Sequence, residues 1–310
     1  MAGKHSKSFF DLNRSTTVDK IVPTQRQKKT AFEQNSMSLP FKIIIVALVI
    51  CLSLSLVFVG GFFISGKIHK GILTDAERIF SLSNSEAAIK ALSDKNSDIK
   101  GWLKIDGTDV NCAVCQTDND KYYINHNQKG KKSRYGALFL SAADSFTRDG
   151  DKNIVIYGNN MKDGTMFGTL KKYRNLNFYK QNPDIKLYYG DKAENYIIFA
   201  VMLIGYSEND AGIAYNPSKS YFSDEAEFDE WYKETAQRSL INTTVTSQFG
   251  DEFLTLVTGA DDFDGARLVV LAKKTTEWDI EHTDVSGATV NANIKYPKKW
   301  YIERGMEYPY

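Results

Sequence analysis

The uncharged run IIIVALVICLSLSLVFVGGFFI, from Ile43 to Ile64, constrains this chain more than any other feature. A helix needs about 20 apolar residues to cross the hydrocarbon of a bilayer, and a helix satisfies its own backbone hydrogen bonds there. Residues 43–64 therefore read as one transmembrane helix. The run is too long, and starts too far along the chain, for a cleavable signal peptide. Residues 1–42 carry Lys4, Lys7, Arg14, Lys20, Arg26, Lys28, Lys29 and Lys42 against Asp11, Asp19 and Glu33. That cationic excess predicts a cytoplasmic N-terminus and places the rest of the chain outside the cell, as a single-pass protein of the cell membrane. The tail has no apolar period and is predicted to be disordered.

Lys plus Arg total 39 against 38 Asp plus Glu, so charge gives no case for a nucleic-acid partner. Residues 65–95 read as a helical stalk: Thr74 and Glu77 stand at capping-box spacing, and Ile79, Phe80, Leu82, Ala87, Ile89 and Leu92 give short amphipathic helices. From Trp102 onward short strand-like runs dominate, among them GWLKI, ALFLS, NIVIYG, IKLYYG, FLTLVTG and ARLVVLAKK, separated by Asn, Asp and Gly. This is a mostly β pattern, a barrel or a sandwich, over residues 96–274. One helix interrupts it, from Asp224 to Leu240, with Phe228, Trp231, Tyr232, Thr235 and Leu240 on a core-facing stripe. Residues 275–310 form a C-terminal extension whose Trp278, Tyr296, Trp300 and Tyr301 argue for docking on the domain.

Of the three cysteines, Cys51 lies in the apolar run, while Cys112 and Cys115 make a C-x-x-C that could be a redox pair or half of a zinc site. His5, His69, His126 and His282 offer no second ligand pair at metal spacing, so no metal is expected. On a strand, residues three apart face opposite sides, which makes one thiol core-facing and the other solvent-facing.

Several segments, in order, resemble class B sortases. NSDIKGWLKIDGTDVNCAVCQ from Asn96 to Gln116, with DNDKYYINHN and YGALFL after it, is similar to the opening half of that domain. IYGNNMKDGTMFGTL, Ile156 to Leu170, resembles the family's Tyr-Gly-His segment, and the helix Asp224 to Leu240 falls where class B enzymes insert one. TLVTG, Thr255 to Gly259, followed by ARLVVLAKK, resembles the Thr-Leu-Ser-Thr-Cys strand and the strand bearing the family's arginine. The resemblance covers roughly residues 74–274. It implies an eight-stranded sortase-type β-barrel with an inserted helix and N-terminal helices.

Sortases are extracellular cysteine transpeptidases of Gram-positive bacteria. A thiolate attacks a threonine carbonyl in a sorting signal, and an amine resolves the thioacyl enzyme. A histidine moves protons, and an arginine holds substrate and oxyanion. Carried over residue by residue, the cysteine position is Gly259, the histidine position Asn159 and the arginine position Arg267. Only the arginine remains, eight residues after Gly259 as in class B sequences, although Asp261, Asp262 or Asp264 could instead hold it as a surface ion pair. Val257 replaces the serine before the cysteine strand's end, and Ser141 stands where the family often has aspartate after Phe139 and Leu140.

What the resemblance implies is a catalytically degenerate, membrane-anchored sortase. Its cleft, including Val257, Thr258 and Arg267, would bind a sorting-signal peptide of a surface protein or pilin, with an active sortase as a second candidate partner and no cofactor. Two alternatives stand beside it. The nucleophile has moved to Cys112 or Cys115, or the groove has closed and the protein is structural, with Val257 or the C-terminal extension filling it.

Overall fold

The computed structural model describes residues 38–146, 152–205 and 215–310. The expected disorder of the tail falls mostly on residues 1–37 and, like the docking of the Trp278 side chain, lies outside the described residues. The chain divides into two compact units between Gly61 and Phe62. Helix α1, Leu39–Ser81, carries the apolar run. In the first unit its Leu52, Val57 and Phe58 are among many exposed apolar side chains on all sides of the helix. A helix apolar all round has no core-facing stripe, and this one fits a single transmembrane helix by length and composition.

In the second unit, α1 continues without interruption through Thr74, whose hydroxyl donates to the Lys70 carbonyl at 2.9 Å. The expected helix start at Thr74 is therefore corrected. The pattern S/T-x-x-E also occurs inside helices, and Glu77 here accepts from the Asn111 amide rather than closing a cap. The next helix, α2 (Ser85–Ser93), is capped by Asn84, whose side chain accepts from Ala87 N.

Eight strands then close a barrel: β1 (Ile99–Lys104), β2 (Asn111–Cys115), β3 (Leu138–Leu140), β4 (Asn153–Tyr157), β5 (Asp184–Tyr189), β6 (Lys192–Gly205), β8 (Phe253–Gly259) and β9 (Ala266–Thr275). Their spatial order is β1-β2-β3-β4-β8-β9-β6-β5, with β5 returning to β1. A 3-10 turn over Leu170–Arg174 and helix α3 (Leu176–Gln181) lead into β5. Helix α4 (Glu225–Arg238) leads into the short strand β7 (Ile241–Asn242). Asp224 caps α4, and its Phe228, Trp231 and Thr235 are buried, with Phe228 and Trp231 packing on Phe253. After β9 come α5 (Glu277–His282), β10 (Thr289–Val290) paired with β7, and α6 (Lys298–Ile302).

Two cores share strands β1 to β3. Leu103, Cys112, Val114 and Leu138 face the barrel interior, while Trp102, Ala113, Cys115 and Phe139 face a second core closed by Ala76, Ile89 and Leu92 of the N-terminal helices. Strand alternation puts the two thiols on opposite faces, as expected. The expectation of a solvent-facing thiol is corrected: both are buried, because the helices cover the outer face of β2. Phe80 stacks on Trp102 with ring centroids 4.5 Å apart.

His69, Ile72 and Ala76 form the buried face of the second part of α1. The His69 ring stacks on Tyr135 at 4.1 Å, and neither ring nitrogen has a hydrogen-bond partner among the described residues. Burial lowers its pKa from 6.5 to about 4, with the nearby Asp163 carboxylate opposing and Arg134 reinforcing the shift. The unfolded chain thus binds the extra proton first as pH falls, so stability is full above about 6.5 and declines toward 4. Denaturant unfolding of the full chain in detergent should show a loss of about 2 to 3 kcal/mol from this group between neutral pH and pH near 4. In His69→Phe, which keeps the ring contact, that part of the pH dependence should disappear.

Candidate active-site cleft

The β4·β8·β9 ladder builds this region. Strand β4 runs parallel to β8 with Tyr157 opposite Val257, and β8 runs antiparallel to β9 with Gly259 opposite Arg267. Past Tyr157 the chain keeps this register for one more residue. Gly158 N donates to Val257 O at 3.1 Å, and Thr258 Oγ1 donates to Gly158 O at 2.7 Å. Gly158 has no room for a side chain, since a Cβ would lie 2.5 Å from Leu138 Cδ2 and 2.7 Å from Phe167 Cδ2. That close approach delivers Asn159 and Asn160 beside the end of β8. The turn beyond is held by a bridge between Asn160 and Met166, which adopts a left-handed φ of 53°.

Asn159 and Asn160 point to different tasks. The Asn159 amide donates to Ile124 O at 2.8 Å and to Tyr135 O at 3.1 Å, tying the turn after β4 to the segment before β3. Asn160 instead lines a cavity of about 360 Å³ with Thr258, Gly259, Ala260, Leu268, Lys171, Arg174, Asp261 and Asp262. Gly259 could accept a side chain: a Cβ at this position would meet nothing nearer than Asn160 Cβ at 3.9 Å, an ordinary contact, and its backbone lies outside the left-handed region. Arg267 stands across the ladder from Gly259, half-buried, and donates to the Ala266 carbonyl at 3.0 Å.

Of the sequence-derived site residues, the structure brings Thr258 and Gly259 to the cavity wall, with Arg267 as the cross-strand neighbour of Gly259. Val257 is buried in the barrel core, and neither it nor the C-terminal extension lines the cavity. The closed-groove alternative finds no support in this geometry. Two of the carboxylates considered as partners of Arg267 are engaged by other cations: Arg174 grips both oxygens of Asp262 at 2.9 and 2.6 Å, and Lys299 reaches Asp264 at 2.8 Å. Asn160, Lys171 and Arg174 were missed by sequence reasoning. Asn160 could have been suspected from its place after Asn159; the two cations reach the cavity only through the tertiary fold.

Cys112 and Cys115 do not reach this cavity. Their strand β2 is separated from β8 by β3 and β4. Burial pushes the Cys112 thiol up to about 12 and the Cys115 thiol higher as well, so neither supplies a thiolate near neutral pH. Among the described residues no His, Cys, Asp and Glu cluster suited to a metal ion is found.

Comparison with known proteins agrees with this barrel and ladder. No protein-family model matches the chain. Sortase B of Listeria monocytogenes is 29% identical over 245 residues, which is 73% of this chain and 96% of that protein. The crystal structure of sortase B from Clostridium perfringens is 32% identical with a TM-score of 0.55, covering 60% of this chain and 99% of that one. A Bacillus anthracis sortase B structure, in complex with AAEK1, is 27% identical with a TM-score of 0.61, covering 69% of this chain and 100% of that one. The fold is thus a sortase-type barrel. The chain belongs to the class B sortase family.

Two substitutions check the geometry. Asn159→Ala removes both cross-segment hydrogen bonds and should lower stability in urea by about 1 to 2 kcal/mol. Gly259→Cys should change stability by less than about 0.5 kcal/mol and yield a thiol that alkylates in the native protein, while Cys112 and Cys115 stay protected until unfolding.

Proposed function

We propose that this chain is a membrane-anchored pseudo-sortase that binds a sorting-signal peptide without cleaving it. The observation that carries the reading is the open cavity of about 360 Å³ at Gly259, where the family position for the nucleophile has no side chain. Thioester formation needs a thiolate there, and proton transfer needs a titratable ring at position 159, whereas an amide exchanges no proton near neutral pH. Binding is separable from chemistry, because a cleft recognises an extended peptide through area and hydrogen bonds that do not include the reacting atoms. Arg267 and Thr258 would contribute to that recognition. The complex of a Bacillus anthracis homologue with AAEK1 supports ligand binding by a barrel of this kind.

The cationic residues before the apolar helix support a cytoplasmic N-terminus, with the barrel outside the cell. There it would hold a surface protein or pilin, beside an active sortase, for anchoring. The relocated-nucleophile alternative is disfavoured by the depth of Cys112 and Cys115.

The test uses the full chain in detergent with fluorescent class B-type sorting peptides. Binding without cleavage is expected, and Arg267→Ala should weaken it by about 1 to 3 kcal/mol, the range for a charge-assisted hydrogen bond. Restoring Gly259→Cys and Asn159→His together should recover at most weak cleavage, because Val257 and Ser141 also depart from the family pattern. Robust cleavage by the unmodified chain, or a thioacyl adduct on Cys112 or Cys115, would overturn the reading.

A further inference from the structure

The loop from 260 to 265 joins the strands that carry Gly259 and Arg267, and its Ala260, Asp261 and Asp262 form one rim of the cavity. Within itself the loop is held lightly. Ala260 N donates to Ala266 O and Ala266 N to Phe263 O, both at 3.0 Å, and Phe263 is its buried side chain. Asp261 and Asp264 are exposed.

The C-terminal extension reaches this loop from outside. Lys299 Nζ lies 2.8 Å from Asp264 Oδ2, Asp264 N donates to Glu303 Oε1 at 3.1 Å, and an Arg304 guanidinium nitrogen donates to Asp262 O at 3.3 Å. Asp262 is thereby gripped twice, at its carbonyl by Arg304 and at its carboxylate by the fork of Arg174 across the cavity. The hydrogen bond from Lys299, and then its charge, holds the Asp264 carboxyl below its usual range.

Exposed ion pairs alone stabilise little, but the segment that carries these has its own apolar anchor. Tyr296 and Trp300 stack at 4.1 Å and pack against the barrel core, and the Arg304 guanidinium sits 4.2 Å over the Trp300 ring. Upstream, Lys295 N donates to Gln237 O at 2.9 Å, and the Asn291 amide donates to Ser239 O at 2.8 Å, which ties the segment to the end of α4. The side chains that touch the loop therefore project from a fixed base.

We propose that residues 296–304 are a clamp on the 260–265 rim, with Lys299, Glu303 and Arg304 acting as positioning residues that set access to the Gly259 cavity. Its meaning for ligand binding rests on the peptide-binding reading, but the clamp itself is measurable without any peptide. Held by Arg174 on one side and the clamp on the other, the rim is preorganised, so a ligand need not order it on binding.

The experiment compares the full chain in detergent with the double variant Lys299→Ala, Arg304→Ala and the charge-conserving double variant Lys299→Arg, Arg304→Lys. One readout is amide hydrogen exchange. The other is the alkylation rate of a Gly259→Cys thiol by iodoacetamide, in a Cys51→Ser background where Cys112 and Cys115 remain buried. In the alanine pair, exchange at 260–265 should rise about tenfold and alkylation severalfold, while exchange in β6 and β9 stays unchanged. The charge-conserving pair should lie near the unmodified chain in both. Unchanged alkylation, unchanged exchange at 260–265, or a rise spread equally over β6 and β9 would each overturn the proposal. A chain that fails to bind any sorting peptide yet shows both local effects would refute the peptide reading and leave the clamp standing.

Discussion

The cleft depends on the continuous pairing of β4, β8 and β9. A parallel register of Tyr157 with Val257 and an antiparallel register of Gly259 with Arg267 fix three chain segments at one end of the barrel before any side chain is considered. The contact that lets the turn after β4 come so close is the missing side chain of Gly158, packed against Leu138 and Phe167. Positions 159, 259 and 267 are thus held by backbone geometry and core packing. The shape of this scaffold does not require a nucleophile or a proton-transfer ring, because neither contributes to the ladder that positions it.

The side chain of Asn159 illustrates how the turn is held. A neutral imidazole has one N–H and can donate to one carbonyl, whereas the Asn159 amide has two hydrogens on one nitrogen and donates to both Ile124 O and Tyr135 O. The Asn159 amide thereby staples the turn after β4 to the segment before β3. The ring of Tyr135 in turn stacks on that of His69. One residue therefore meets both the turn after β4 and the second part of α1.

Much of this was legible in the sequence, for physical reasons that also mark the limit. The strands of the barrel and the helix beginning at Asp224 follow from local alternation and caps, and the place of the TLVTG and ARLVVLAKK strands from motif order. Thr74 misled because a capping pattern has the same spacing inside a helix as at its start. Cys115 misled because alternation says which face a residue takes, not what covers that face. The Arg174 and Asp262 pair, 88 residues apart in sequence, and the amide of Asn159 on Ile124, 35 apart, leave no local trace at all. Charged residues in loops are compatible with many partners until the fold selects one.

The C-terminal extension shows how a segment without clear periodicity can still be specific. Its path is set by a few strong points: β10 pairs with β7, Asn291 and Lys295 fasten to the end of α4, and the Tyr296 and Trp300 rings settle on the barrel. The inserted helix and the cavity rim are thereby joined by one stretch of chain, although they are separate insertions in the barrel. Ordering such a segment costs roughly 1 to 2 kcal/mol of backbone entropy per residue, more than its exposed ion pairs could offset. Backbone pairing to β7 and α4 and the half-buried Tyr296 and Trp300 rings share in offsetting it, and the ion pairs are left to determine where the segment's far end rests. The loop at 260–265 then takes its position from groups that contribute little to global stability, which makes that position adjustable without unfolding the barrel.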